Sequence, residues 1–243
     1  MYKNILKAKS KLEKYIIKTE CLLSESISTL IKSNVYVKYD NKQITGSFKL
    51  RGSLNKLLSL NTSQRTKGVI TMSAGNHAQG LAYGCKLLGI KSTIVMPNNT
   101  PFEKIRKNIE YGAEVIIKGN DVEDAEGYVN KLAKIKGLIK VHPFDDYEVI
   151  YGQGTLMLEM LEQCPELDLL IIPVGGGGLI SGSSIVAKHL YPKTKIVGVT
   201  VLTSIDKKSL KEIGFTKNLK DLVKHQAKLA NKAKLDAIVC SAQ

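Results

Sequence analysis

The chain has 243 residues, enough for one large domain or two small ones with a core that folds unaided. Hydrophobic residues make up 43% and charged residues 24%, which is ordinary for a globular protein. No apolar run approaches the roughly 20 residues that a membrane-spanning helix needs. The net charge of +14 comes from dispersed lysines with only 6% aromatic residues, so a nucleic-acid partner is disfavoured.

The cysteines and histidines show no metal-ligand spacing. The four cysteines, at positions 21, 85, 164 and 240, are far apart, and none belongs to a C-x-x-C pair. This distribution argues against a zinc site and fits reduced, mostly buried thiols. We therefore expect no metal in the function of this chain.

Helical and apolar segments alternate along most of the chain. The N-terminus (1–20) has lysines throughout and no apolar stretch, which predicts an amphipathic helix of a cytoplasmic protein rather than a signal peptide. Runs of Val, Ile and Leu predict strands buried on both faces of a parallel sheet, at 35–38, 69–73, 92–96, 114–118, 138–142, 169–174 and 195–202. Helix-length segments lie at 76–89, 102–111, 121–136, 147–163 and 179–190. The alternation predicts a doubly wound α/β fold with a mostly parallel sheet.

Four consecutive glycines mark one junction between a strand and a helix. In such a fold, ligands bind where strands end and lead into helices. Gly175, Gly176, Gly177 and Gly178 follow an apolar strand and precede a helix that starts near Leu179. Their unshielded amides at a helix N-terminus would form a nest for a single phosphate group, which we favour over a flexible turn.

A second junction, SAGNHAQG (73–80), carries small and polar residues. Ser73, Gly75 and Asn76 could hold a carboxylate on helix N-terminal amides, or Ser73 or Asn76 could merely cap the helix. The loop sequence alone leaves these two interpretations open. His77 is better explained as a residue of the helix face than as a catalytic base.

A third segment, TGSFKLRG (45–52), places Lys49 directly after Phe48 at the start of a helical run. Burial of a lysine lowers its pKa and leaves a neutral, nucleophilic amine that can form a Schiff base with an aldehyde. Taken alone, this lysine would more commonly be a solvated surface cation.

These three segments, in this order, closely resemble the fold-type II pyridoxal-phosphate enzymes, whose fold is of the tryptophan synthase β type. The most similar members are the threonine (serine) dehydratases, also called ammonia-lyases. The resemblance covers about residues 15 to 199 and includes VYVKYDNKQ (35–43), VMPNNTPFEKIRKNIEYGAEV (95–115) and VHPFDDYEVIYGQGTLMLEML (141–161). It implies PLP-dependent deamination of L-threonine or L-serine to a 2-oxo acid and ammonia, in amino-acid metabolism such as isoleucine biosynthesis.

The resemblance also implies roles for individual residues. Lys49 would carry pyridoxal 5'-phosphate as a Schiff base and later take the Cα proton, Phe48 would pack beside the ring, and Asn76 would bond its 3-oxygen. The phosphate would be held by Gly175, Gly176, Gly177, Gly178 and Leu179. The substrate carboxylate would be bound by Ser73, Ala74, Gly75, Asn76 and His77. Related serine racemases carry a catalytic serine where this chain has Ala74, so racemisation is disfavoured.

The resemblance stops near residue 199. Family members continue further, and their later strands supply a Ser or Cys partner for the pyridine nitrogen, so residues 1–198 are predicted to be a C-terminally truncated catalytic region. Residues 199–243 resemble instead an internal piece of orotidine 5'-phosphate decarboxylase, in which Thr203 would contact a pyrimidine. The decarboxylase Asp-x-Lys-x-x-Asp array is absent, which argues against decarboxylation. A gene fusion explains this arrangement better than divergence of ordinary dehydratase sequence.

Three functions follow from these observations. The first is a dehydratase with a small amino-acid substrate and an activity impaired by truncation. The second is a non-catalytic cofactor-binding or degenerate fusion product, and the third is a nucleotide-binding fragment. We also expect that the chain forms a homo-oligomer and binds neither nucleic acid nor membrane.

Overall fold

The structure, a computed structural model, describes residues 1–120, 122–202 and 218–241. The helices are Tyr2–Leu12 (α1), Glu25–Ile31 (α2), Lys49–Ser59 (α3), Thr62–Lys67 (α4), Asn76–Leu88 (α5), Phe102–Glu110 (α6), Val122–Lys136 (α7), Tyr147–Gln163 (α8), Gly178–Leu190 (α9) and Leu219–Lys232 (α10), with a 3-10 turn at Asp40–Lys42. The strands are Cys21–Leu23 (β1), Tyr36–Lys38 (β2), Val69–Met72 (β3), Ser92–Met96 (β4), Glu114–Ile117 (β5), Ile139–Lys140 (β6), Leu169–Pro173 (β7), Lys195–Val199 (β8) and Ala237–Val239 (β9).

The strands form two parallel sheets and one antiparallel pair. One sheet has the order β5-β4-β3-β6 and the other has the order β7-β8-β9, and both are parallel throughout. Helices connect the strands, so the predicted α/β fold with parallel strands is confirmed. The prediction for 35–38 was wrong in one respect, because Tyr36–Lys38 pairs antiparallel with Cys21–Leu23. The partner strand is only three residues long, and its sequence carries no period that would have revealed it.

Burial of the strands differs between the two parallel sheets. All five residues of β4 are buried, as predicted for a strand covered on both faces. In β7 buried and exposed residues alternate, and Ile171 is 65% exposed. The prediction of burial on both faces was therefore wrong for β7, because the described residues cover only one face of this strand.

Helix α8 is the central helix of the fold, and glycines let its neighbours approach closely. A Cβ on Gly152 would lie 2.4 Å from the backbone oxygen of Arg51, on α3. On the other side, a Cβ on Gly182 of α9 would lie 2.6 Å from the backbone nitrogen of Gly154. Since no side chain separates these backbones, α3 and α9 are both held tightly against α8.

The C-terminal segment joins the second parallel sheet. Strand β9 pairs with β8 in parallel, with Val197 opposite Ala237. The helix α10 precedes β9 in this segment. Thr203 lies outside the described residues. In the ranges that the structure describes, no helix has the length and apolarity needed to cross a membrane.

Candidate active site

Lys49 is the first residue of α3 and is half-buried. Its Nζ donates a hydrogen bond to the backbone oxygen of Pro143 at 2.9 Å and lies 5.4 Å from the centroid of the Phe48 ring. Among the described residues, no carboxylate forms an ion pair with this amine. Burial lowers the pKa of Lys49 below its usual value. The sequence predicted such an amine, and its environment favours the neutral, nucleophilic form.

The glycine loop lies against the segment that follows β6. A Cβ on Gly176 would lie 2.1 Å from Cδ1 of Phe144, so only glycine fits there. Gly177 has φ +88° and is the N-cap of α9, a conformation that other residues rarely adopt. At Gly175, by contrast, a Cβ would meet nothing within 4 Å. The loop thus has open space next to backbone amides at a helix N-terminus, which suits an anion.

Residues 142–144 connect Lys49 to the glycine loop. Pro143 accepts the hydrogen bond from Lys49, while Phe144 packs on Gly176. Nδ1 of His142 accepts hydrogen bonds from the backbone nitrogens of Phe144 and Asp145, at 3.3 and 2.8 Å, which fixes this turn. The structure therefore places the predicted nucleophile and the predicted phosphate loop on two sides of one short segment.

Ser73 caps the helix that follows the second junction. Its Oγ accepts hydrogen bonds from the backbone nitrogens of Gly75 and Ala78, at 3.2 and 3.3 Å. This geometry is the capping interaction that the loop sequence had left open. Asn76 begins α5 and is exposed, and Ala74 and Gly75 are half-buried in the turn. By helix geometry the amides of Asn76 and His77, at the first two positions of α5, also have no intrahelical partner, so they could still bind a carboxylate.

A cavity of about 540 Å³ borders part of this group. Phe48, Asn76 and Leu179 all line it, whereas Lys49, Ser73 and the glycine loop do not. The rest of its wall is largely apolar and includes consecutive residues of β2 and β7. Three of the predicted cofactor residues thus border the cavity, whereas Lys49 and the four glycines are not part of its wall.

His77 points into the interior. The residue is 2% exposed, and burial, followed by the nearby charge of Lys49, lowers its pKa to about 3. The backbone of Val141 opposes this shift. The imidazole is therefore neutral at neutral pH, and this environment agrees with its interpretation as a residue of the helix face.

The pKa of His77 predicts a pH-dependent stability. The folded protein binds the proton only near pH 3, whereas the unfolded chain binds it near the ordinary pKa of 6.5. The contribution of His77 to the free energy of unfolding is therefore fully present above pH 6.5. It is lost as the pH falls toward 3, by up to about 1.4 kcal/mol per pH unit. Urea unfolding at several pH values measures this slope. We expect His77→Leu to reduce it and His225→Gln, at an exposed position, to leave it unchanged; equal slopes in all three proteins would contradict the prediction.

Comparison with known proteins identifies the family. A family model described as pyridoxal-phosphate dependent enzyme matches residues 12–237. The chain belongs to the pyridoxal-phosphate dependent enzyme family. The chain is 42% identical to L-threonine ammonia-lyase of Thermotoga maritima over 81% of this chain and 49% of that protein. It is 41% identical to the catabolic L-threonine dehydratase TdcB of Escherichia coli K12, over 81% of this chain and 60% of that protein.

Solved structures agree with this assignment. Threonine deaminase isoform 2 of Solanum lycopersicum superimposes with a TM-score of 0.79 at 38% identity, over 82% of this chain and 55% of that chain. Serine racemase of Dictyostelium discoideum superimposes with a TM-score of 0.84 at 36% identity, over 98% of this chain and 80% of that chain. The chain thus spans about half to three-fifths of the length of the curated relatives that it matches.

Pyridoxal phosphate is the cofactor of this family, and the site fits it in three respects. The half-buried amine of Lys49 suits an aldehyde, the open space at Gly175 suits a phosphate, and the Phe48 ring lies beside the amine. Across the described residues, no group of three or more His, Cys, Asp or Glu side chains could hold a metal ion.

Sequence reasoning missed a buried charge network centred on Arg51, two residues after Lys49. The Arg51 guanidinium donates to both oxygens of Asp40 at 2.8 Å and to both oxygens of Glu159 at 2.6 and 2.9 Å. Lys38 Nζ also donates to Glu159, at 2.9 Å. Burial alone would lower the pKa of Arg51, but the hydrogen bonds to both carboxylates raise it well above its usual value.

This network fixes the position of α3 relative to α8 and the turn at Asp40–Lys42. One sequence signal could have indicated it: Arg51 lies three and seven residues before Leu54 and Leu58, on the apolar face of the helical run. Its partners are 11 and 108 residues away in sequence, however, so no local pattern identifies them.

Proposed function

We propose that this chain, with pyridoxal phosphate bound, deaminates L-threonine or L-serine to the corresponding 2-oxo acid and ammonia. The observation that carries the proposal is the half-buried amine of Lys49, with its lowered pKa, in a chain that is 42% identical to an L-threonine ammonia-lyase. Because the chain spans only 49% to 60% of such relatives, the activity of the whole protein is carried over as a proposal.

Each residue of the site has its own role in the proposed reaction. Lys49 would hold the cofactor, and its neutral amine would take the Cα proton of the substrate. The cofactor, when bound, would supply an electron sink for the resulting negative charge. The amides of residues 175–178 and of Leu179 would hold the phosphate, and Phe48 and Asn76 would orient the ring. First-turn amides of α5, with Ser73, Ala74, Gly75 and His77 shaping the turn, bind the substrate carboxylate.

The lowered pKa of Lys49 supports its role as a base. A lysine of ordinary pKa is almost entirely protonated at neutral pH and cannot accept a proton. Burial without a paired carboxylate shifts the equilibrium toward the neutral amine. A base whose pKa lies nearer to the working pH is a more effective proton acceptor.

The decisive experiment is the absorption spectrum of the purified chain with pyridoxal phosphate, before and after L-threonine. We expect a yellow complex, attachment of the cofactor to Lys49 after borohydride reduction, and release of 2-oxobutanoate from L-threonine. A parallel reaction with L-serine, followed by pyruvate release, decides between the two substrates. A chain that binds no cofactor, or that binds it and releases no 2-oxo acid, would overturn the proposal.

Two neighbouring glycines provide a matched test of phosphate binding. Gly175→Ala adds a methyl group that meets no protein atom within 4 Å, so we expect an unchanged melting temperature but about tenfold weaker cofactor binding. Gly176→Ala should instead lower the melting temperature as well, because its Cβ would lie 2.1 Å from the Phe144 ring. Fluorescence titration with pyridoxal phosphate measures both affinities. Unchanged cofactor binding in Gly175→Ala would remove this residue from the phosphate site.

A second candidate is a chain that binds the cofactor without catalysis. It is favoured by the cavity wall, which includes Phe48, Asn76 and Leu179 but neither Lys49 nor the four glycines of the loop. The spectrum described above distinguishes this case, because a yellow complex would then form and L-threonine would leave 2-oxobutanoate undetected.

The origin of residues 199–243 stays a prediction. The helix α10 followed by the strand β9 supports a segment related to orotidine 5'-phosphate decarboxylase. The family match to residue 237 favours the alternative of diverged family sequence. A nucleotide site can be tested by adding uridine 5'-phosphate to the purified chain. If millimolar uridine 5'-phosphate leaves the melting temperature unchanged, the chain does not bind this nucleotide.

Cellular location, assembly and pathway complete the proposal. We propose a cytoplasmic homo-oligomer, possessing no affinity for nucleic acid, whose product can supply isoleucine biosynthesis. Light scattering of the purified chain measures the oligomeric state, and a monomer at all concentrations would contradict it.

A further inference from the structure

Two free cysteines lie in contact at the edge of α8. The Sγ atoms of Cys21 and Cys164 are 3.4 Å apart, although the residues are 143 positions apart in sequence. Cys21 is the first residue of β1 and is half-buried, while Cys164 is buried and is the C-cap of α8. A disulfide has an S–S length of about 2.05 Å, so only a small side-chain movement separates this pair from a covalent bond.

Hydrogen bonds between other residues hold the segments that carry the two cysteines against each other. Cys21 is opposite Lys38 in the antiparallel pair of β1 and β2. Lys38 Nζ donates to Glu159 on α8 at 2.9 Å, and Nε2 of Gln163 donates back to the backbone oxygen of Thr19 at 3.0 Å. The end of α8 is therefore fixed against β1 and β2 by contacts that do not involve sulfur.

We propose that Cys21 and Cys164 are a modification site, at which a low-molecular-weight disulfide such as oxidised glutathione converts the thiol pair to an intramolecular disulfide. The Cys21 thiolate attacks one sulfur of glutathione disulfide, forming a mixed disulfide and releasing one glutathione. The Cys164 thiolate then attacks the Cys21 sulfur and releases the second glutathione. The two thiols lose two protons and two electrons, and the reagent is reduced to two glutathione molecules.

The environment of the pair sets the rate of this exchange. Burial, followed by the hydrogen bond to Cys164, raises the pKa of Cys21 to about 12. The thiolate is the attacking species, so the reaction is slow at neutral pH and its rate increases about tenfold per pH unit below that pKa. The pair therefore responds to sustained oxidising conditions rather than to brief exposure.

The bond would close a loop of more than 100 residues, from β1 to the end of α8. A cross-link of this length restricts the unfolded chain strongly, so the melting temperature of the oxidised protein should rise by roughly 5–10 °C. The bond would also join β1 and β2 covalently to the helix on which Glu159 binds Arg51, two residues from Lys49.

The test uses the full chain with excess oxidised glutathione at pH 7 and pH 9, followed by removal of the reagent. We expect the thiols reactive under denaturing conditions to decrease from four to two, faster at pH 9, with a non-reduced peptide that joins Cys21 to Cys164. The rise in melting temperature should be reversed by dithiothreitol.

Matched variants separate this pair from the other cysteines. Cys21→Ser and Cys164→Ser should each prevent the cross-link and the rise in melting temperature, whereas Cys85→Ser and Cys240→Ser should retain both. Cys21→Ser changes only a half-buried position, so it remains informative if Cys164→Ser fails to fold. A stable mixed disulfide on Cys21 without ring closure, or a cross-link that includes Cys85 or Cys240, would overturn the proposal.

Discussion

Lys49→Ala is expected to abolish attachment of pyridoxal phosphate after borohydride reduction and to lower turnover of L-threonine by about three orders of magnitude or more. The variant lacks the amine that holds the cofactor and takes the Cα proton, and no other described lysine shares this site. Its stability should be retained, because the alanine removes a half-buried cation that has no paired carboxylate. Mass spectrometry of the reduced protein and a 2-oxobutanoate assay measure both effects.

Lys86→Ala is the matched control for this variant. Lys86 lies on the exposed face of α5, where its Nζ contacts only the backbone oxygen of Glu110 at 3.3 Å. The control should bind cofactor and turn over substrate as the parent chain does. Retained turnover in Lys49→Ala would remove this residue from its proposed role, even if the chain itself proves to be an ammonia-lyase.

Arg51→Ala is expected to lower the free energy of unfolding by about 3–5 kcal/mol. The guanidinium is fully buried and neutralises two carboxylates that are themselves buried, Asp40 and Glu159. Among the described side chains, its removal leaves Asp40 with the Thr19 hydroxyl as a donor and leaves Glu159 with Lys38. Urea unfolding measures the loss, provided that the slope of the transition is unchanged.

Arg106→Ala is a control of matched chemistry in a different environment. Arg106 also binds two carboxylates, Glu103 and Glu110, but it is on the surface of α6 with a side chain 48% exposed. Solvent screening reduces such pairs to about 0.2–1 kcal/mol each. Similar losses in the two variants would show that burial does not determine the contribution of Arg51. A loss of less than about 1 kcal/mol in Arg51→Ala would lead to the same conclusion, that burial does not determine the contribution of Arg51.

The buried network and the nucleophile belong to one structural unit. Arg51 binds α8 and the turn before α3, and Lys49 begins the same helix two residues earlier. Close contact between Gly152 and the backbone of α3 holds the helices together on the same side. We therefore interpret Arg51 as a positioning residue, which keeps Lys49 facing Pro143 and the glycine loop.

Local sequence patterns predicted most of the elements. Val, Ile and Leu runs identified β3, β4, β5, β7 and β8 to within one to three residues, because such runs favour extended, buried backbone. The glycine run and SAGNHAQG marked the junctions at which α9 and α5 begin. Helix propensity and turn residues act over a few positions, so a single sequence contains this information.

Two features required contacts between distant parts of the chain. β1 is too short to show a period, and it pairs antiparallel with β2 across the helix α2 that lies between them in sequence. The open face of β7 depends on which elements cover it. The hydrogen bond from the Ala78 amide to the Oγ of Ser73 is local, but the loop sequence offered an equally good alternative.

The sequence by itself determined the family and the order of most strands and helices, and it predicted a role for Lys49, because the patterns involved lie in contiguous residues. Only the tertiary structure decided the environment of that lysine, the partners of Arg51 and the contact between Cys21 and Cys164. Burial, ion pairing and sulfur contact depend on distances between residues 11 to 143 positions apart, and no local pattern encodes those distances.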